Sequence, residues 1–183
     1  LACSDSDCYR HARGQYCSPQ VGSQVPRLIG IDQFGEEVDL YDFAGHNGKV
    51  IAIEMSPAWC GACQELARWM HTGDETVKSR PWWRDEWMPI RDWVNEGRFY
   101  WITIIYENAR HGDASPEDAA YWHEAYPHDE IPVLVDSERQ LHTWFKSSGL
   151  PNVNLADEDM KLLNYYPRGA SHSMDLLLEL YGP

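Results

Sequence analysis

The chain has 183 residues, which is enough for one ordinary domain with its own hydrophobic core. A hydrophobic share of 43%, with nine Trp and ten Tyr, is typical of a packed globule and excludes a mostly disordered chain. The formal net charge of -14 at pH 7 repels phosphate backbones and anionic lipid surfaces, so nucleic acid is not expected as a partner.

The first part of the chain is predicted to be a tether. Residues 1–24 are polar, rich in Ser, Gln and Gly, and show no periodicity, so we expect the folded domain to span residues 25–183. The chain opens at Leu1 rather than at Met, as a processed precursor would. Leu1-Ala2-Cys3 is similar to the end of a bacterial lipoprotein signal, in which the cysteine after a small residue becomes lipidated. On that similarity, Cys3 is a lipid anchor.

Five cysteines divide into three in the tether and two in a C-x-x-C motif. If Cys3 carries a lipid, Cys8 and Cys17 remain as a pair that closes a small loop. A disulfide between them would order a segment that has little apolar content. Alternatively, Cys3 pairs with Cys8 or Cys17, or stays a free thiol.

The domain is predicted to begin with a β-hairpin. Two short apolar runs, 27–33 and 37–41, flank the turn signal Phe34-Gly35. This pattern is typical of two paired antiparallel strands, and we place them ahead of the main fold.

A buried strand and a helix follow the hairpin. In residues 49–55 the side chains alternate between two apolar faces, so both faces of this strand are expected to be covered. After Pro57 the apolar spacing becomes helical, and Gly73 supplies a stop signal. Cys60 is therefore predicted to lie at the start of a helix.

A Trp-rich segment, residues 74–88, is predicted to be an insertion that covers apolar surface. A second helical stripe starts after Pro81, and Pro89 in its middle must either kink that helix or begin a new one. Residues 99–106 are nearly all aromatic or β-branched, as in a central buried strand. The apolar run here is the longest in the chain but is far shorter than the roughly 20 residues of a membrane-spanning helix. No transmembrane helix is predicted.

Strands and helices continue to alternate towards the C-terminus. Ser115 is predicted to cap a helix that reaches Tyr126. Later segments are predicted as a strand at 131–135, a helix at 137–146, strands at 152–156 and 161–166, and a helix at 173–181. This order predicts an α/β domain of three layers, in which helices flank a central mixed sheet.

The C-x-x-C motif of Cys60 and Cys63 carries the chemistry. Thiol exchange needs a thiolate that attacks and a second thiol that resolves the mixed disulfide, and this motif on the first turn of a helix provides both. The positive end of the helix favours the Cys60 thiolate, whereas Cys63 is expected to be more buried. The motif can also be half of a zinc site, but no second half at ligand spacing is apparent. No metal site is predicted.

The run Trp59-Cys60-Gly61-Ala62-Cys63, between a buried strand and a helix, resembles the active site of the thioredoxin superfamily. The resemblance implies a thioredoxin-like α/β/α sandwich with an N-terminal β-hairpin extension. It also implies a redox-active disulfide with no further cofactor. Trp59 would pack beside the disulfide and contact the substrate.

Leu150-Pro151-Asn152 is similar to the segment in which thioredoxin-like proteins carry a cis-proline that faces the dithiol. A cis peptide there leaves the preceding backbone groups free to pair with an extended substrate. Leu150 and Asn152 are therefore predicted to bind substrate, and Pro151 to belong to the catalytic set. Pro132 is a competitor for the cis position. The alternative is an ordinary trans proline that starts a strand.

Glu54 is the only charge in the run 50–55 and lies six residues before Cys60, where thioredoxin carries a buried acid. Burial raises the pKa of a carboxyl, so the resemblance implies that Glu54 takes a proton from Cys63 during resolution. The alternative is a Glu at the end of the sheet that is held by a salt bridge.

Over residues 25–183 the chain is most similar to the TlpA/ResA-type branch, among the AhpC/TSA-Redoxin-like proteins. The Gly-Ala dipeptide lacks the usual proline, and Leu66 stands where some members carry a functional glutamate. Glu65 is adjacent but is expected to point elsewhere on the helix. These departures leave the reduction potential and the substrate open.

The resemblance implies a monomeric disulfide reductase for exported proteins, in the periplasm or another extracytoplasmic compartment. A membrane thiol donor would keep it reduced. A disulfide oxidase or isomerase uses the same chemistry at a different potential. A thioredoxin-like copper chaperone would instead hold an ion with the dithiol. A peroxiredoxin is disfavoured, because Pro57 stands where such enzymes carry Thr.

Overall fold

The computed structural model describes residues 8–11, 14–45 and 47–183, with side chains from residue 18 onward. Its strands are β1 (Cys8–His11), β2 (Gly14–Cys17), β3 (Ile29–Ile31), β4 (Glu37–Asp39), β5 (Ile51–Ser56), β6 (Tyr100–Ile105), β7 (Val133–Val135) and β8 (Asn152–Ala156). Its helices are α1 (Gly61–Thr72), α2 (Pro89–Asn95), α3 (Pro116–Ala125), α4 (Gln140–Phe145) and α5 (Ser171–Tyr181). Short 3₁₀ turns occupy Leu40–Phe43, Glu75–Ser79 and Asp85–Trp87. No helix within these ranges is long and apolar enough to cross a membrane.

The central sheet has the strand order β7-β6-β5-β8. β5, β6 and β7 are parallel, and β8 pairs antiparallel with β5. Parallel neighbours require a crossover, and α3 lies in the connection from β6 to β7. Because α1 and α5 pack on one face of the sheet and α4 on the other, the predicted three-layer architecture with a mixed sheet is confirmed.

β5 shows why its sequence has no polar face. Ala52 belongs to the apolar core under α1 and α5, whereas Ile51, Ile53 and Met55 belong to the core under α4. All of these side chains are fully buried. The alternation predicted for this strand is therefore confirmed, and Glu54 points to the same face as Ala52.

The insertion at residues 74–88 covers the core on the α1 side of the sheet. Trp83 packs edge to face on Trp69 of α1, with 4.8 Å between the ring centroids. Trp87 is fully buried, and its indole N–H donates to Asp175 of α5 at 2.8 Å. A buried Trp needs a hydrogen-bond acceptor for its one polar atom, and α5 provides it.

No helix starts at Pro81, contrary to the periodicity of the apolar residues. The segment instead makes the 3₁₀ turn Asp85–Trp87, and α2 begins at Pro89. Proline has no N–H to donate to the preceding turn, whereas at the first position of a helix no such bond is required. Pro89 therefore begins a helix rather than kinking one.

The strand predicted at residues 161–166 does not form, although Leu162 makes an isolated bridge with Ala156. Beyond that point the Leu163 N–H still donates to the carbonyl of Leu155 at 2.8 Å, but side chains accept the next bonds. The Leu155 N–H donates to the Oδ1 of Asn164, and the Tyr166 N–H donates to the Oδ1 of Asn154, both at 2.8 Å. Because the amide side chains replace backbone carbonyls, the segment follows β8 without continuous pairing.

α4 begins later than predicted, at Gln140 rather than near Ser137. Arg139 has a left-handed backbone (φ 52°), which interrupts the helix before that point. The buried carboxylate of Asp136 accepts hydrogen bonds from the N–H groups of Gln140 and His142, at 2.7 and 3.0 Å. Asp136 therefore satisfies the free N–H groups of the first turn from outside the helix.

The predicted hairpin before the main fold is confirmed as β3 and β4, and Gly30 is its point of closest approach to the sheet. An ideal Cβ at Gly30 would lie 2.8 Å from the carbonyl oxygen of Val135 in β7. We expect Gly30→Ala to lower the free energy of unfolding by about 1–3 kcal/mol, measured by urea titration, because a backbone atom must move. Gly61→Ala is the control, since its Cβ would meet nothing closer than 3.7 Å. Equal stability of the two variants would contradict this packing.

Part of the predicted tether pairs as a second hairpin that the sequence did not predict. β1 and β2 are antiparallel, with Cys8 opposite Cys17. Cys3 lies outside the described residues, as do the side chains of Cys8 and Cys17, so the lipid anchor and the disulfide stay predictions. Further along, the N–H of Val25 donates to the carbonyl of Met160 at 2.8 Å, which ties the end of the segment to the domain.

Candidate active site

Cys60 and Cys63 are joined by a disulfide bond at the N-terminus of α1. Cys60 is the N-cap residue, and its Sγ accepts a hydrogen bond from the N–H of Cys63 at 3.2 Å. The exposed fraction is 5% for Cys60 and 0% for Cys63. A substrate can therefore reach Cys60 first, and Cys63 is positioned to act from inside the protein.

A cis peptide bond lies beside the disulfide. The Leu150–Pro151 bond is cis, and Leu150 packs on the apolar cluster that contains both cysteines. The carbonyl of Pro132 instead accepts a hydrogen bond from Thr103 at the approach to β7. The prediction that Pro151 rather than Pro132 carries the cis bond is confirmed.

Asn152 supports the cis-proline loop from within. It is fully buried, and its Oδ1 accepts a hydrogen bond from the Ser147 hydroxyl at 2.9 Å. Its Nδ2 donates to the carbonyl of Tyr166, also at 2.9 Å. The side chain is thus engaged inside the protein. In this segment, the groups that remain to contact a substrate are the backbone before Pro151 and the half-buried Leu150.

Glu54 is held in the sheet by neutral hydrogen-bond donors. Its Oε2 accepts from the indole N–H of Trp101 at 2.8 Å and from the hydroxyl of Thr103 at 3.1 Å, and its Oε1 accepts from Ser56 at 2.7 Å. Burial raises the pKa of this carboxyl, and the three hydrogen bonds only oppose that rise. Among the described residues no cation is paired with Glu54. The salt bridge considered as an alternative is not found there.

A small cavity lies next to the side chain of Glu54. Its volume of about 10 Å³ is close to the room that one water molecule needs. Ala67, Trp122 and Val133 line the cavity and also belong to the apolar cluster around the disulfide, so the carboxyl and the dithiol border the same packed layer. His128 lines both this cavity and an open polar depression on the surface, so one side chain separates the two spaces.

Trp59, the residue before Cys60, is held in place by the loop that follows β6. Its indole N–H donates to the carboxylate of Glu107, and its ring lies 4.8 Å from the ring of His111 between centroids. Arg139 donates to the other oxygen of Glu107 at 2.9 Å. Trp59 nevertheless keeps an exposed fraction of 39%. Its ring can therefore contact a substrate while its orientation is held.

The other flank of the motif carries an ion pair from the insertion. Arg80 donates from Nε and Nη2 to the two carboxylate oxygens of Glu65, at 2.6 and 2.8 Å. This hydrogen bonding lowers the pKa of the Glu65 carboxyl. The Nη2 of Arg80 lies 3.7 Å from the position that a Cβ on Gly61 would occupy. The guanidinium therefore borders the exposed dipeptide of the motif.

Sequence reasoning did not find Arg80 and Glu107 as neighbours of the motif. Arg80 lies in the insertion, which has no helical period that relates its residues to α1. Glu107 follows β6, and the ends of parallel strands that precede helices often carry functional side chains, which is a signal that could have identified it. Glu65 was expected to point elsewhere on the helix than Leu66; Leu66 is fully buried, whereas Glu65 is part-exposed and pairs with Arg80.

No protein-family model and no curated protein matches the chain. Solved structures do match it. The thioredoxin domain of a thiol-disulfide oxidoreductase from Bacteroides vulgatus is 18% identical, with 91% of this chain and 100% of that chain covered and a TM-score of 0.60. A Chlorobium tepidum protein assigned as thiol:disulfide interchange protein DsbE is 21% identical, with 87% and 93% covered and a TM-score of 0.55. The exposed lipoprotein thioredoxin of Streptococcus pneumoniae is 18% identical, with 85% and 97% covered and a TM-score of 0.58.

These identities are low, and the likeness extends over most of both chains in each comparison. Likeness of this kind shows the fold. Of these three neighbours, one is named a thiol-disulfide oxidoreductase, one a thiol:disulfide interchange protein and one a thioredoxin. The Cys60–Cys63 disulfide of this chain lies at a helix N-terminus, and the residue before its cis-proline packs on the same apolar cluster. The chain therefore has a thioredoxin-like α/β fold with a redox-type cysteine pair.

Proposed function

We propose that the protein is a thiol-disulfide reductase for exported proteins, of the TlpA/ResA type. The observation that carries the proposal is the disulfide between Cys60 and Cys63 beside the cis Leu150–Pro151 bond. The exposed edge of the motif, which we call the rim, includes the backbone before Pro151 and the Trp59 ring. An extended polypeptide can bind to these groups. A substrate strand could therefore align with its own disulfide over Cys60.

The reaction transfers two electrons from the reduced protein to a substrate disulfide. The Cys60 thiolate attacks one substrate sulfur, a mixed disulfide forms, and the first substrate thiolate leaves. Cys63 then loses its proton and attacks the Cys60 sulfur, which re-forms the Cys60–Cys63 bond and releases the second substrate thiolate. The two protons of the protein dithiol end on the two substrate thiols. A dithiol donor at the membrane restores the reduced protein by the reverse exchange.

Glu54 is proposed to accept the proton of Cys63 in the second step. A carboxyl with a raised pKa exchanges protons more readily near neutral pH than an ordinary one. The water-sized cavity and the layer that it shares with the disulfide support a path for that proton. Glu54 would then give up the proton, which reaches the leaving substrate thiolate through solvent.

Two features support the reducing direction over disulfide formation. The dipeptide Gly61-Ala62 carries no charge that would stabilise the Cys60 thiolate, and strong oxidants of this chemistry owe their potential to a stabilised reduced form. Arg80, a cation beside the dipeptide, is already paired with Glu65. A modest thiolate stabilisation favours a reductant.

An extracytoplasmic location is part of the proposal. Two of the structural neighbours are a DsbE protein and an exposed lipoprotein by name. Cys3 would anchor this chain to a membrane by a lipid, and a Cys8–Cys17 disulfide would require an oxidising compartment. Intact-mass measurement of protein recovered from a bacterial membrane fraction tests the anchor, because lipidation of Cys3 adds a diacylglycerol mass.

Insulin reduction tests the proposed activity. We expect the wild-type protein to accelerate insulin precipitation in the presence of dithiothreitol, and Cys60→Ser to abolish the acceleration. Metal content and free thiols are measured on the same aerobic preparation. Stoichiometric copper or zinc, with two thiols that do not react until the metal is removed, would assign a metal-binding module instead.

A further inference from the structure

The insertion places a cation, Arg80, next to the exposed edge of the C-x-x-C motif. Arg80 follows the 3₁₀ turn Glu75–Ser79, whose Val77 is fully buried, and the N–H of Arg80 donates to the carbonyl of Val77 at 3.0 Å. The side chain is bound to Glu65 by two hydrogen bonds. Backbone and guanidinium are thus both anchored, which makes the position of this charge a property of the fold.

This charge lies next to the residue that follows Cys60. Gly61 is the exposed residue that follows Cys60, and the Nη2 of Arg80 is 3.7 Å from its Cβ position. The side chain of Arg80 keeps an exposed fraction of 38%, against 17% for Glu65. The positive member of the pair therefore faces the rim, and the negative member lies further along α1.

The ion pair leaves hydrogen-bonding capacity for a ligand. A guanidinium has five N–H donors, and Glu65 takes two of them. The described residues provide no other hydrogen-bonded acceptor to Arg80. A carboxylate at the rim would therefore meet N–H groups in the planar arrangement that suits it, whereas an ammonium would meet a like charge.

On the opposite flank, two carboxylates are bound by one cation. Glu107 and Asp113 both accept hydrogen bonds from Arg139. Glu107 also holds the Trp59 indole, and His111 lies against the Trp59 ring. The two flanks therefore differ, because two carboxylates share Arg139 on the Trp59 side, whereas a single carboxylate binds Arg80 on the dipeptide side.

We propose that Arg80 is a specificity-determining residue that selects substrate disulfides with an acidic side chain next to the attacked cysteine. This inference rests on the proposed function. It assigns to the insertion a role in recognition in addition to its role as a cover of the core. The net charge of -14 repels acidic substrates at long range, so the selection acts at contact distance.

The test uses three cyclic disulfide peptides of one sequence that differ only in the two residues beside one cysteine, which are Asp, Asn or Lys. The dithiol form of the protein is mixed with each peptide in a stopped-flow instrument, and oxidation of Cys60 and Cys63 is followed by Trp fluorescence at low salt. The measured quantity is the ratio of the rate constants for the Asp and Lys peptides. This ratio cancels any change in the reactivity of Cys60 itself.

Arg80→Gln is expected to lower this ratio by about threefold to tenfold, because a charged contact is lost for one peptide and a repulsion for the other. Arg84→Gln is the matched control. It removes the same charge from the same insertion, but Arg84 pairs with Asp175 of α5 rather than with a residue of α1. Circular dichroism confirms that both variants are folded.

The outcomes separate the inference from the function on which it rests. An equal effect of the two substitutions on the ratio, or no effect of Arg80→Gln, would overturn the role of Arg80 while exchange with the Asn peptide still supports the reductase. Failure of wild-type protein to react with any of the peptides would overturn the proposed function, and the inference with it. Arg80→Lys is expected to keep part of the selectivity, because it retains the charge but not the planar donors.

Discussion

Cys63→Ser is expected to accumulate mixed disulfides with its substrates, whereas Cys60→Ser is expected to form none. Cys60 keeps an exposed fraction of 5%, whereas Cys63 is fully buried. Without the resolving thiol, the bond between Cys60 and a substrate sulfur persists. Nonreducing gel electrophoresis of a periplasmic extract, after acid quenching and alkylation, detects these adducts. Both variants should lose turnover in insulin reduction by about a thousandfold or more, since no disulfide can re-form.

The same pair of variants can contradict the assignment. If Cys60→Ser traps substrates as readily as Cys63→Ser, the two thiols are equally accessible and the burial difference has no functional meaning. Alkylation rates of the reduced wild-type protein between pH 5 and 9 provide an independent check. Cys60 should have the lower thiol pKa, because it caps the N-terminus of α1.

Glu54→Gln is expected to slow insulin reduction by about 10- to 100-fold near neutral pH. The amide keeps the shape of the side chain and can keep hydrogen bonds to its neighbours, but it cannot accept a proton from Cys63. The loss should shrink as the pH approaches the pKa of the Cys63 thiol, because hydroxide and water then remove that proton. An unchanged rate across pH 6 to 9, per folded molecule, means that Glu54 has no part in exchange.

The stability of this variant has its own expected pH dependence. Burial holds the folded-state pKa of Glu54 above 4.5, its ordinary value, so the protonated carboxyl stabilises the fold fully below pH 4.5. That contribution is lost as the pH rises through the raised pKa. The free energy of unfolding of the wild-type protein, minus that of Glu54→Gln, should therefore fall as the pH rises from 4.5. A difference that rises with pH would show that Glu54 is an ionised partner of a cation instead.

The sequence predicted the parts of the fold that depend on local rules. The alternation in residues 49–55 predicted two covered faces of a strand, and both are present in β5. Gly73 ends α1 with a left-handed backbone (φ 76°), as a helix stop signal predicts. Ser115 caps α3 through a reciprocal pair of hydrogen bonds with Asp118. Each of these features is decided by residues within one turn or one strand.

The features that sequence did not predict depend on distant partners. The strand expected at 161–166 is replaced because Asn154 and Asn164 supply side-chain acceptors, and nothing in the local pattern distinguishes such an Asn from one in a turn. α4 starts later than predicted because Asp136, four residues before Gln140, caps it. Arg80 lies beside the motif because the insertion folds onto α1.

The candidate site also has parts that the sequence predicts and parts that depend on distant partners. Cys60, Cys63 and Pro151 could be chosen from the motif and from the order of elements, because the redox chemistry restricts which residues can serve. The environment of Glu54 could not. Burial raises the pKa of that carboxyl, and hydrogen bonds from Trp101 and Thr103 on the neighbouring strand oppose the rise. The register of these residues with β5 becomes known only from the fold.

The reduction potential of the Cys60–Cys63 pair tests the central claim most directly. The protein is equilibrated in glutathione and dithiothreitol buffers of known potential, quenched with acid, and its free thiols are counted by mass after alkylation. We predict a two-electron transition near -270 mV, about the value of thioredoxin, as a reductase requires. A transition near -120 mV, about the value of a strong oxidant such as DsbA, would contradict the reducing direction. A bond that stays oxidised at all potentials down to about -300 mV would show that this disulfide is structural.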